Sequence, residues 1–226
     1  MLVHIPQLLG AEEVALSREI LLQQPWQDGR LTAGHMAAHV KTNQQLSRDN
    51  ASAQKIGDLI LDKLGQSPLF MSVALPLKVL PPLFNRYEGG TSYGDHTDNA
   101  IFTMPNSTMR VRSDVSTTVF LSEPDAYVGG ELVIVDTYGE QRVKLAAGDA
   151  IVYPASSLHR VEPVTEGVRL GAFFWTQSLV ASNEQRQMLY DLDCAVQQVL
   201  TEDSASAAAR RLSGIYHNLL RMWSQT

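Results

Sequence analysis

Cysteine is nearly absent: Cys194 is the single one in 226 residues. One thiol excludes an internal disulfide and any cysteine-based zinc cluster. No apolar run approaches the roughly 20 residues that a membrane-spanning helix needs. The N-terminal MLVHIPQLLG lacks a basic stretch leading into a long apolar one, so no signal peptide is expected. Basic runs are missing as well, and with a formal net charge of -6 this argues against nucleic acid as a partner. Three catalytic signatures are also missing: the Gly-x-Ser-x-Gly nucleophile elbow, the His-Glu-x-x-His zinc motif and the phosphate-binding glycine loop. There is no internal repeat and no low-complexity linker. What is left is an ordinary globular composition, 44% hydrophobic, long enough to bury one sizeable core. A cytoplasmic protein that engages neither membrane nor nucleic acid is the expectation.

The chain reads in three parts. Leu2–Ile5 suits a short strand, and Ala11–Gln24 reads as an amphipathic helix ended by Pro25. The polar stretch from Asp28 to Asn50 has weak periodicity. Its His35 and His39 have no acidic third ligand nearby and read as surface histidines. In Ala51–Leu64, Ile56, Leu59, Ile60 and Leu64 follow helical spacing, and Gly65 closes the helix. From about Leu69, short β-branched or aromatic runs alternate with Gly, Pro and Asp turns, the pattern of an all-β sandwich or barrel. Strands are expected near Leu75–Leu80, Leu83–Tyr87, Gly94–Asp98, Ser116–Leu121, Glu131–Val135, Glu140–Lys144, Ala150–Tyr153, His159–Val164 and Arg169–Thr176. Glu184–Leu200 and Ala205–Trp223 are helical again. The prediction is a mainly β, α+β fold: a double-stranded β-helix (jelly roll) with N-terminal helices over residues 1–177, its β core at about 75–177, and a C-terminal helical module over 178–226. The second C-terminal helix offers a homodimer contact.

Within the β region, Tyr93-Gly94-Asp95-His96-Thr97-Asp98-Asn99 carries an imidazole and a carboxylate at i and i+2. In a strand, His96 and Asp98 leave the same face. They are two thirds of a 2-His-1-carboxylate triad, which holds non-haem Fe(II) and leaves positions open. His159 is the one further histidine in the β region, and it opens a late strand. Alone, it would read as a hydrogen-bonded core histidine; behind His96-x-Asp98 it reads as the third ligand. A hairpin turning near Val164–Gly167 would put Arg169 on the neighbouring strand. Its guanidinium suits a distal carboxylate better than lysine would; the alternative is a surface arginine. Tyr87 and Tyr93 either project a hydroxyl to the same anion or are core aromatics, and Tyr87 is carried as a candidate cosubstrate contact. Asp95 and Asn99 are candidates to orient the ligands.

Taken together, Phe84-Asn85-Arg86-Tyr87-Glu88-Gly89-Gly90, Tyr93-x-x-His96-x-Asp98, Gly129-Gly130-Glu131-Leu132, Gly148-Asp149-Ala150, His159 and Arg169 resemble the Fe(II)/2-oxoglutarate dioxygenases of the prolyl 4-hydroxylase type. The wording is most similar to the bacterial PKHD-type hydroxylases, nearly end to end. The resemblance implies that His96, Asp98 and His159 ligate one Fe(2+) per chain and that Arg169 binds the distal carboxylate of 2-oxoglutarate. It implies O2 as the second cosubstrate, decarboxylation of 2-oxoglutarate to succinate and CO2, and hydroxylation of an unactivated C–H. L-ascorbate as a reductant and a link to iron uptake rest on the resemblance alone. The rival readings are a cupin-like iron-binding or sensing protein without turnover and a metal-free interaction module. The substrate, a small molecule or a peptidyl side chain, is set by loops over the barrel mouth, and the polar stretch Ala100–Asp114 is the expected lid.

Overall fold

The computed structural model describes residues 1–32 and 39–226; His35 lies outside them. The chain opens with strand β1 (Val3–Ile5) and helix α1 (Ala11–Leu22). The two-residue strands β2 (Gln27–Asp28) and β3 (Gln44–Gln45) precede helices α2 (Ala51–Gly65) and α3 (Pro68–Ala74). Then come β4 (Pro76–Val79), β5 (Leu83–Tyr87), β6 (Thr91–His96), β7 (Ile101–Thr103), β8 (Arg110–Arg112) and β9 (Val115–Phe120). The strands continue with β10 (Tyr127–Gly129), β11 (Leu132–Asp136), β12 (Gly139–Val143), β13 (Ala150–Pro154), β14 (Leu158–Gly167) and β15 (Arg169–Ser178). Helices α4 (Asn183–Glu202) and α5 (Ala207–Trp223) follow.

Local chemistry explains the helices. Asn50 caps α2 by accepting from Ala53 N at 2.9 Å, and Ile56, Ile60 and Leu64 bury one stripe. The sequence around Leu69 was expected to begin the β region, yet it is helical. Ser67 Oγ accepts from Phe70 N at 3.2 Å, Pro68 takes the first turn, and Phe70, Val73 and Ala74 are buried at i, i+3 and i+4.

The strands form two facing sheets. The first runs β1-β13-β9-β15-β5-β3-β2, with β4 paired to the end of β15. In the second, β14 pairs with β6 on one edge and with β11 and β10 in succession on the other, and β12 lies outside β11. This is the jelly roll expected, with helices against one sheet. Alternation along β15 shows how it is built. Leu170, Ala172 and Phe174 pack in one cluster with Leu21, Ile60, Phe70 and Val73 of the helices, while Arg169, Phe173 and Trp175 line the cavity between the sheets. Tyr87, Phe120, Ile134, Tyr153 and Val161 form the inner core.

Three expectations change. β14 and β15 do not make a hairpin: the chain crosses at Val168 from one sheet to the other, so His159 and Arg169 face each other across the sandwich. Strand β6 ends at His96, leaving Asp98 beyond it. The expected lid is largely an antiparallel hairpin, β7 with β8. Among the described residues no helix is long and apolar enough to cross a membrane.

Candidate metal and cosubstrate site

His96 and His159 are cross-strand partners in the β6–β14 ladder, which puts their ring centroids 4.2 Å apart. Each is held the same way. His96 Nδ1 lies 2.8 Å from the carbonyl of Gly94 and His159 Nδ1 lies 3.0 Å from that of Ser157. Donation from Nδ1 to a carbonyl leaves the Nε2 lone pair as the ligating atom. Asp98 reaches them from the irregular chain after β6, so strand alternation is not what aligns it. Its Oδ1 stands 3.9 Å from His159 Nε2, and its Oδ2 is buried without a hydrogen-bond partner. One ligand atom from each of the three residues lies within 4.8 Å of the others.

The electrostatics fit a cation between them. Burial, followed by the neighbouring His159, pushes the His96 imidazolium down to about 3, so the ring is neutral and its lone pair free. Burial pushes the Asp98 carboxyl up, opposed by His159. A carboxylate in such a place is costly without an adjacent positive charge, and a divalent ion is the largest one a protein site can hold. Two imidazoles and one carboxylate with an orphaned oxygen are a donor set that suits Fe(II).

Across the cavity, Arg169 is 1% exposed, and its Nε and Nη1 have no hydrogen-bond partner. Its guanidinium carbon lies 5.1 Å from the Tyr87 ring centroid and 5.4 Å from that of Phe120. A buried fork with idle N–H groups loses its hydration without return unless an anion meets it. Tyr87 is directly opposite Arg169 in the β5–β15 ladder and accepts a 3.2 Å hydrogen bond from Asn85 Nδ2. Burial pushes its hydroxyl up to about 12, so it stays a donor.

The structure therefore brings His96, Asp98, His159, Arg169 and Tyr87 into one cavity. Asp95 and Asn99 do not orient the ligands. Asp95 is exposed and meets Arg160 at 3.4 Å, and Asn99 offers its carbonyl to Ser113. Sequence reasoning passed over Lys41, Arg48, Asn85, Phe173 and Trp175, which also line the cavity. The alternation that begins at Arg169 leads to Phe173 and Trp175, and that from Tyr87 leads back to Asn85. No sequence signal marks Lys41, which reaches the site through a bridge to Tyr93. The other histidines described lie elsewhere; His4 bonds Asp149 at 2.7 Å.

Comparison with known proteins agrees with this geometry. Residues 82–177 match the 2OG-Fe(II) oxygenase superfamily, and residues 183–225 match the PKHD-type hydroxylase C-terminal domain. A PKHD-type hydroxylase of Delftia acidovorans is 64% identical over the full length of both chains, and one of Parvibaculum lavamentivorans is 53% identical, again over all of both. Among solved structures, a Pseudomonas putida prolyl-4-hydroxylase superposes with a TM-score of 0.53 at 21% identity, covering 78% of this chain and 92% of that one. HygX from Streptomyces hygroscopicus, with nickel and 2-oxoglutarate bound, gives 0.55 at 18% identity, covering 80% of this chain and 84% of that one. At such identities the likeness is one of fold.

Proposed function

Because the chain belongs to the PKHD-type hydroxylases, enzymes with the 2OG-Fe(II) oxygenase domain, we propose that it hydroxylates an unactivated C–H of an organic substrate at the His96–Asp98–His159 site. The balance is R–H plus O2 plus 2-oxoglutarate giving R–OH, succinate and CO2. Bound Fe(II) with 2-oxoglutarate supplies the oxidising chemistry. The rest of the work falls to the protein. The two Nε2 atoms and the Asp98 carboxylate would hold the metal. Arg169 orients the cosubstrate by its distal carboxylate, with the Tyr87 hydroxyl as a second donor. The inner core of Ile134, Tyr153 and Val161 excludes water from the enclosed side. The division into a dioxygenase domain over 1–177 and a helical module over 178–226 is part of the same proposal.

The observation that carries it is the opposition of two unsatisfied sets in one cavity: two histidines of one sheet with Asp98 just beyond it, and on the other sheet an arginine whose Nε and Nη1 have no hydrogen-bond partner. Anaerobic addition of Fe(II) and 2-oxoglutarate is expected to raise the weak visible absorption of their chelate, and admission of O2 to release succinate. Asp98→Ala should lose the iron. Arg169→Ala should keep it and weaken 2-oxoglutarate about a hundredfold, since one buried carboxylate would be left unpaired. Folded, iron-loaded protein without the absorption would overturn the cosubstrate assignment. Iron binding without coupled O2 uptake would favour the sensing protein.

A further inference from the structure

Two buried polar atoms beside the triad lack partners. Asp98 Oδ2 accepts no hydrogen bond, and Trp175 Nε1 donates none. Both residues line the same cavity. The two atoms are opposite in kind: an ionised carboxylate oxygen only accepts, and an indole N–H only donates. Each is costly to bury alone, and each is what the other needs.

Strand pairing brings the indole to this place. Trp175 is directly across the β15–β9 ladder from Ser116, and Ser116 is across the next ladder from Tyr153 of β13. All three line the cavity. Trp175 and Ser116 reach the Asp98 carboxyl as hydrogen-bonding neighbours: burial raises it, and His159, then Trp175, then Ser116 oppose the rise. The Ser116 hydroxyl has a second neighbour in Tyr153, whose hydroxyl is raised first by burial and then by Asp98, with Ser116 opposing. The indole has no second partner.

Packing then fixes the ring. Phe102 of the β7–β8 hairpin stacks on Trp175 at 4.1 Å, and Phe173 meets it edge-on at 5.5 Å. A buried ring clamped by two others cannot turn its N–H to water, so an acceptor must come to it. Asp98 can do so. It stands beyond the end of β6, where no ladder fixes it. Its Oδ1 is already turned to the triad, 3.9 Å from His159 Nε2, which leaves Oδ2 for another partner.

We propose that Trp175 is a positioning residue for the metal-binding carboxylate: its indole N–H donates to Asp98 Oδ2 and leaves Oδ1 to the ion. A carboxylate tied in this way offers the ion one oxygen, which preserves the open positions that a 2-His-1-carboxylate site needs. This rests on the reading of the triad as a metal site.

The test uses the full chain and Zn(II), a diamagnetic ion that imidazole and carboxylate also bind. The chain has three tryptophans. With their indoles labelled with 15N, Trp26→Phe and Trp223→Phe assign two resonances, and the third is Trp175. Zn(II) should move the Trp175 N–H downfield, as donation to a carboxylate does. Trp26, which already donates to the Leu21 carbonyl at 3.1 Å, should stay in place. Trp175→Phe keeps a ring against Phe102 and removes the donor. Its Zn(II) affinity, read by competition with a chromophoric chelator, should fall about tenfold to a hundredfold. A tryptophan that only built the wall would move neither readout. A Trp175 resonance that Zn(II) leaves in place, or unchanged affinity in folded Trp175→Phe, would each overturn the proposal. If Trp175→Phe does not fold, the resonance in the unaltered chain decides. Failure of Zn(II) to bind the unaltered chain would instead overturn the metal reading, and the proposal with it.

Discussion

Gly130 has a left-handed φ of +68°, and a Cβ there would stand 2.7 Å from Val164 Cγ2 and 3.1 Å from Arg169 Cδ. The Gly129-Gly130 pair thus has a physical reason beyond turning the chain: it lets the backbone pass against the stem of the buried arginine. Gly130→Ala is expected to cost about 1–3 kcal/mol of stability, read from the denaturation midpoint, and to weaken 2-oxoglutarate binding in isothermal titration by shifting Arg169. Unchanged binding in a folded variant would separate the glycine from the site. At this scale the sequence was most informative. Few side-chain types can ligate Fe(II) or fork onto a carboxylate, so His96, Asp98, His159 and Arg169 stood out. Lys41 and Arg48 did not, because a lysine or arginine in a polar stretch is by default a solvated one.

Elements were legible where their period is local. The stripe of α2 and the alternation of β5 and β15 follow from side-chain order alone. The failures came where a short-range cap or a long-range partner decided: Ser67 and Pro68 turned an apolar run into α3, and pairing with β8 made β7 part of a hairpin. Attachment of α4 also depends on a buried side chain. Arg186 is 2% exposed and donates to the carbonyls of Val180 at 2.7 Å, Ala181 at 2.9 Å and Asp114 at 3.2 Å. Burial pushes its guanidinium down from its ordinary value, because the charge has given up its water. Arg186→Met should leave them unpaired and lower stability by about 2–4 kcal/mol, measured by urea denaturation. Leu75, Val180 and Leu189 form the apolar part of the same joint, with Tyr216, Leu219 and Trp223 of α5 packed on them.

For the whole molecule, the two sheets close over a cavity in which Asp98 Oδ2 and Arg169 Nε and Nη1 find no hydrogen-bond partner within the chain. Ligands that bind the folded state alone stabilise it by mass action, about 2.7 kcal/mol at a hundred times Kd. For a chain of this length that is a rise in Tm of about 5–10 °C. Mn(II) and 2-oxoglutarate together should produce it, EDTA should remove it, and Arg169→Ala should lose the cosubstrate's share while keeping the metal's. Absence of any rise would mean that the buried triad binds no ion. The sequence by itself determined which elements could form and which side chains have the chemistry for iron and a carboxylate, because helical and strand periods and ligand types are local properties. The tertiary structure decided the arrangement. Long-range pairing sent β14 and β15 to opposite sheets, so His159 and Arg169 confront each other across a cavity instead of sharing a hairpin. The chain after β6 turned Asp98 inward, and Lys41 and Arg48 were brought to the same cavity. A strand's own residues do not encode which strand it will meet, and that choice made separate motifs into one site.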